Sequence, residues 1–159
     1  VVMACVFCLG IGICFGKEKV QEKKAIVLAS FGTTYPEALV SIINIYEGVQ
    51  KAFPEMEVRL AFTSNIIRKI WHKRQKDVNF LNEHKEIPEE ILSVQTPLAT
   101  IANLQDEGYK TIIVQPTHLF AGEEFQDLSS YVTALNSIQT IKDRYRPFNK
   151  LVLGRPLLG

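Results

Sequence analysis

Asp, Glu, Lys and Arg are missing from the first 16 residues of this 159-residue chain, and cysteine is missing from everything after Cys14. The two absences divide the sequence. Residues 1–16 form an uncharged apolar stretch that holds Cys5, Cys8 and Cys14, and every charge lies beyond it. The stretch is too short to span a bilayer comfortably. It ends in Cys14-Phe15-Gly16 before Lys17-Glu18-Lys19, with small side chains where a signal peptidase reads them. This reads as a secretory leader whose basic start lies upstream; the alternative is a buried strand or helix of the fold. A removed leader leaves a mature chain with no thiol, and so without disulfides or cysteine chemistry.

An excess of one charge is also lacking. Eighteen basic side chains meet seventeen acidic ones, for a net charge of +1. A protein that binds nucleic acid by charge alone must neutralise several phosphates, so no nucleic-acid partner is expected. No glycine pattern of a dinucleotide fingerprint and no Gly-Lys-Ser/Thr phosphate loop occurs. The hydrophobic fraction of 47% and charged fraction of 22% exclude disorder and a collagen-like fibre.

What remains is a charged spacer, residues 17–24, and one α/β domain, residues 25–159. The run Ala25 to Ser30 reads as a strand buried on both faces, typical of a parallel sheet. Pro36 and Glu37 suit a helix start, and Leu39, Ile42, Ile43, Tyr46, Val49 and Phe53 recur at helical spacing before Pro54. A second strand, Glu57 to Phe62, leads to Thr63-Ser64 as a cap for a helix with Ile66, Ile67, Ile70 and Trp71. Residues 76–94 have no clear period and read as a surface excursion with a short helix near 88–92. Pro97 opens a helix and Gly108 closes it. Thr111 to Pro116 is a third strand, followed by a helix whose apolar face runs from Phe125 to Ile138 and Ile141. Lys150 to Leu153 is a fourth. This alternation predicts a mainly parallel four-stranded sheet with helices on both faces.

Ligands of open parallel sheets bind at the carboxyl ends of the strands. At the first such end, Ser30-Phe31-Gly32-Thr33-Thr34 offers hydroxyls and a glycine that permits a close backbone approach. It is either an anion-binding loop or a plain strand-to-helix turn. At the third, His118 precedes Glu123 and Glu124 by five and six residues. An imidazole and a carboxylate converging there can move protons or hold a divalent metal. The plain alternative is a packed loop histidine with two acids that favour a helix N-terminus. Arg68, four residues beyond Ser64, is placed to reach a carboxylate-rich ligand. His72 and His84 read as surface residues.

Five segments stand in an order that resembles the anaerobic-type cobalt chelatases, the CbiK-type sirohydrochlorin cobaltochelatases of cobalamin biosynthesis. They are AIVLASFGTT (25–34), AFTSNIIRK (61–69), PLATIANLQDEGY (97–109), VQPTHLFAGEEF (114–125) and LVLGRPLL (151–158). The resemblance implies a lyase that inserts Co2+ into a carboxylate-bearing tetrapyrrole, with Fe2+ or Ni2+ as further metals and no organic cofactor. It implies one half of a two-lobed class II chelatase fold with its active site between the lobes. His118 and Glu124 match the first-half histidine and the second acid of the family's Gly-acid-Glu segment; they carry over as proton-relay or metal-tuning residues and candidate metal contacts. Ser30, Phe31, Gly32, Thr33 and Thr34 match the first loop and, with Arg68, carry over as substrate-binding residues.

The family's second half, with its Met-Gly-His-Gly histidine, glutamate and second histidine as metal ligands, has no counterpart, and no His-Gly pair occurs at all. The expectation is an N-terminal half that needs its C-terminal half or a second copy of itself, and that alone turns over little or nothing. Some family members carry a leader and work in the periplasm, and the same location is expected here, with no membrane attachment once the leader is removed. The rival reading is a non-catalytic periplasmic carrier of tetrapyrrole or metal, built as a self-paired half domain. A generic alternative is a flavodoxin-like domain that takes a flavin or phosphate at Ser30 to Thr34.

Overall fold

The computed structural model describes residues 22–158, so the expected leader lies outside the described residues. Strand β1 spans Lys24–Ser30, and a 3-10 turn over Pro36–Ala38 enters helix α1, Leu39–Ala52. Then follow β2 (Glu57–Phe62), α2 (Asn65–Arg74), α3 (Val78–Glu83), α4 (Glu89–Leu92) and α5 (Pro97–Asp106). Strand β3 (Thr111–Pro116), helix α6 (Glu123–Asn136), a 3-10 turn over Asp143–Tyr145 and β4 (Lys150–Leu153) complete the order. The four strands are all parallel, in the order β2-β1-β3-β4. Central β1 is paired on both edges and buried on both faces, and the burial of both faces is why its sequence is apolar without alternation.

The strand period of two divides the core into two layers. Ala25, Val27 and Ala29 face one way and pack with Ile101 and Leu104 of α5 and Leu128 and Val132 of α6. Three alanines in that layer (Ala25, Ala29 and Ala61) leave room for the helices to lie close to the sheet. Leu28, Leu60 and Phe62 face the other way and pack with Leu39 of α1 and Trp71 of α2. Helices thus cover both faces, as the sequence predicts. The chain leaves β1 toward β2 on one side and returns past it to β3 on the other. That reversal between β1 and β3 opens a crevice at their carboxyl ends.

Two expectations need correction. Residues 76–94 are not a surface excursion: Ile87, Ile91, Leu92 and Val94 are buried in the layer that holds Trp71. Asp77 caps the short α3 by accepting from the Asn79 and Phe80 N–H groups, so two brief helices meet at a turn and no single period runs through the segment. Helix α6 is also shorter than its apolar pattern. It ends at Asn136, whose side-chain amide donates to the Leu151 carbonyl at 2.8 Å, and Ile141 lies beyond it fully exposed. Among the described residues, no helix is long and apolar enough to cross a membrane.

Candidate functional site

The site is built from three strand ends. Ser30 closes β1, Thr63 follows β2, and Thr117-His118 follow β3. The Thr63 N–H donates to the Ser30 carbonyl at 2.8 Å, and the Thr117 N–H donates to the Ala29 carbonyl at 2.9 Å. These two bonds carry the sheet pairing past the strands and hold the three ends side by side. Glu124 arrives from the first turn of α6, which starts at Gly122 with no side-chain cap.

Ser30, Phe31, Gly32, His118 and Glu124 line one hollow of about 480 Å³. Ile42 and Ile45 of α1 and the exposed ring of Phe120 make most of the rest of its wall apolar. This suits a largely apolar ligand that carries a few polar groups. Glu124 also borders a second, smaller hollow of about 120 Å³ on the α5 and α6 side, with Thr63, Thr96, Asp127 and Tyr131. The carboxylate therefore stands in the partition between two cavities.

His118 is half-buried. Its Nε2 lies 3.1 Å from the Thr63 hydroxyl oxygen, and its Nδ1 is buried with no hydrogen-bond partner among the described residues. Burial pushes its pKa below the ordinary histidine value, and the nearby Glu124 charge opposes the shift in part. The resting imidazole is neutral at physiological pH.

The first loop is fixed from behind. Gly32 has φ +91°, the left-handed region that glycine occupies without strain. The Trp71 indole N–H donates to the Thr33 carbonyl at 2.7 Å, and Arg74 Nη1 donates to the Thr34 carbonyl at 2.6 Å. The Thr33 hydroxyl accepts from the Tyr35 N–H at 3.2 Å. Thr33 and Thr34 thus serve the loop's own shape and lie outside the lining of the larger hollow. Arg68 also lies outside both linings; its Nη2 donates to the Asn65 side chain at 3.2 Å.

Sequence reasoning missed Thr63, which reads as half of a helix cap. Ser64 does that work alone, accepting from the Ile67 N–H, and this releases Thr63 to face His118. Position 63 directly follows a strand beside β1, which was the available signal. His72 and His84 are half-buried, not surface residues. His72 Nε2 lies 2.7 Å from the Val94 carbonyl, and the His84 ring lies 4.4 Å from that of Phe80. Among the described residues, no group of three or more His, Cys, Asp or Glu side chains is placed to hold a metal ion.

A doubly covered parallel sheet with hydroxyls, an imidazole and a carboxylate gathered at its switch point defines a ligand-binding α/β lobe. Residues 24–159 match the family described as Cobalt chelatase (CbiK), and the chain belongs to that family. A sirohydrochlorin cobaltochelatase of Salmonella typhimurium is 29% identical over 139 residues, which cover 86% of this chain and 43% of that protein. Sirohydrochlorin cobaltochelatase CbiKC of Nitratidesulfovibrio vulgaris is 28% identical over 139 residues, covering 87% and 41%. The chain spans about two-fifths of the length of these curated relatives.

Proposed function

We propose that this chain forms one wall of a sirohydrochlorin cobaltochelatase, which inserts Co2+ into the tetrapyrrole during anaerobic cobalamin biosynthesis. The observation that carries the reading is the convergence of Ser30, Gly32, His118 and Glu124 on one apolar-walled hollow in a chain of the CbiK family. The names of the two relatives support the substrate and the metal.

Metal insertion exchanges two pyrrole N–H protons for a divalent cation, so the site must accept protons and hold the macrocycle in place. Glu124, on the wall of the hollow, supplies a carboxylate for proton relay. His118, neutral at rest, supplies a lone pair. Phe31 and Phe120 supply apolar surface to the ring. Co2+ is the substrate metal, with Fe2+ or Ni2+ as further metals, and a second lobe or a second copy of the chain supplies the remaining ligands.

The test is a sirohydrochlorin titration followed by a Co2+ insertion assay on the isolated chain. Saturable binding that weakens in Glu124→Gln, with little or no turnover, supports the reading. Turnover at an ordinary enzymatic rate overturns the assignment to one wall of a larger site.

The exposed apolar side chains of Leu119 and Phe120 at the hollow, with exposed Leu157 and Leu158 on the adjoining segment, favour a second reading, a self-paired carrier of tetrapyrrole or metal. A Soret shift on haem addition that is abolished by His118→Ala, without binding of sirohydrochlorin, selects the carrier.

We also propose a periplasmic location with residues 1–16 as a cleaved leader, supported by their lack of charge and the small side chains at Cys14 and Gly16. N-terminal sequencing of the mature protein tests it; an intact N-terminus on protein purified from its own cell rejects it.

A further inference from the structure

Three polar groups stand in line where β1, β2 and β3 end: His118 Nε2, the Thr63 hydroxyl and the Ser30 carbonyl. The first pair is 3.1 Å apart and the second 3.4 Å. Two proton arrangements fit the heavy atoms. In one, Nε2 carries the proton and donates to Thr63, whose own O–H donates to the Ser30 carbonyl. In the other, Thr63 donates to Nε2 and the ring proton sits on Nδ1.

The surroundings of Nδ1 decide between them. It is buried, and among the described residues nothing is within hydrogen-bonding reach of it. A buried N–H with no acceptor is the rarer and costlier kind of orphan; an under-used acceptor is tolerated better. The Ser30 carbonyl already receives the Thr63 N–H at 2.8 Å, and its second lone pair takes the hydroxyl. The first arrangement therefore satisfies every donor in the line.

We propose that Thr63 is the positioning residue for His118: its hydroxyl accepts the Nε2 proton, fixing the imidazole as the Nε2–H tautomer and leaving the Nδ1 lone pair as the ring's one acceptor. The ring then has no free donor, and its one acceptor is closed to solvent in the structure. The tautomer does not rest on the chelatase reading.

The experiment is long-range ¹H–¹⁵N NMR on the histidine-labelled full chain, without tetrapyrrole or metal, at a pH where imidazoles are neutral. His118→Gln identifies the His118 signals against those of His72 and His84. The wild type should show the Nε2–H pattern for His118, and Thr63→Ser should keep it. Thr63→Val, which has nearly the same shape and no hydroxyl, should take the acceptor from the Nε2 proton, moving its ¹H resonance upfield and speeding its exchange with water. His72 and His84 should not change. An Nδ1–H pattern in the wild type overturns the proposal, and so does an Nε2–H resonance and exchange rate left unchanged in a folded Thr63→Val. If Thr63→Val gives no folded spectrum, Thr63→Ala is judged by the same two outcomes. The readout involves no turnover, so this inference and the chelatase reading fail separately.

Discussion

The Trp71 indole nitrogen lies 2.7 Å from the carbonyl oxygen of Thr33, joining a fully buried ring in the core to the loop that borders the hollow. Arg74 adds to the join. Its guanidinium lies 4.6 Å from the Trp71 ring and 4.8 Å from the Phe80 ring, while Nη1 bonds Thr34. The residues between β2 and α5 therefore hold the loop in shape.

Trp71→Phe removes the indole donor and leaves a void in a closed layer. It should destabilise the chain by about 1–3 kcal/mol, read from the urea midpoint. Trp71 is the single tryptophan, so wild-type emission reports on this join directly. Sirohydrochlorin bound against Phe31 should quench that emission saturably. Quenching that is merely linear in concentration would speak against a site at this loop.

Two glycines share one backbone angle and differ in surroundings. Gly32 and Gly108 both have φ +91°, but a Cβ at Gly32 would stand 2.8 Å from the Phe62 ring, and one at Gly108 meets nothing within 4 Å. Gly108→Ala should cost only the backbone strain, about 1–2 kcal/mol. Gly32→Ala carries the same strain and must also move a fully buried phenylalanine, so its loss should be larger by at least about 1 kcal/mol. Equal losses in chemical denaturation would show that Phe62 yields freely and that the loop is less tightly held than its bonds imply.

All four strands were legible, and β1 most plainly, because a strand buried on both faces produces a run such as Ala25 to Ser30 that needs no context. The His118 and Glu124 pairing was half-legible. Spacing placed both near one strand end, but only the return of the chain past β1 puts Ser30 beside them. The role of Ile87, Ile91 and Leu92 was hidden, since two short helices joined by a turn break the period that marks a buried face. Ile138 and Ile141 misled for the opposite reason: they continue the α6 pattern after the backbone has stopped following it. The use of Thr63 against His118 depends on which of two adjacent hydroxyls caps α2, and cap rules favour serine over threonine by too little to decide it from sequence.

His118 should make stability depend on pH. Its folded pKa is lowered from 6.5 by burial, so below 6.5 the unfolded chain binds a proton that the folded chain refuses. Stability contributed by the neutral ring is present above 6.5. It is lost as pH falls from there toward the lowered folded value, and it stays level below that value. Urea midpoints measured from pH 8 to pH 5 should fall, and His118→Leu should flatten part of that slope. A variant with the wild-type slope would assign the pH dependence to other groups.

Exposed apolar side chains stand at the hollow and beside it. Leu119 is 58% exposed, Phe120 67%, Leu157 68% and Leu158 77%. The Leu157 and Leu158 N–H groups donate to the His118 and Leu119 carbonyls at 2.9 and 2.7 Å, so the two exposed segments run side by side. Contiguous apolar surface of this kind marks an interaction site more often than it marks a tolerated surface. The chain alone should therefore show a weight-average mass in sedimentation that rises with concentration. The double variant Phe120→Ser with Leu157→Ser should lower that rise without changing the unfolding free energy by more than about 0.5 kcal/mol, because both side chains are already in solvent. A clean monomer at high concentration would mean that this surface folds over its own hollow in solution, and the open mouth beside Ser30 and His118 would have to be redrawn.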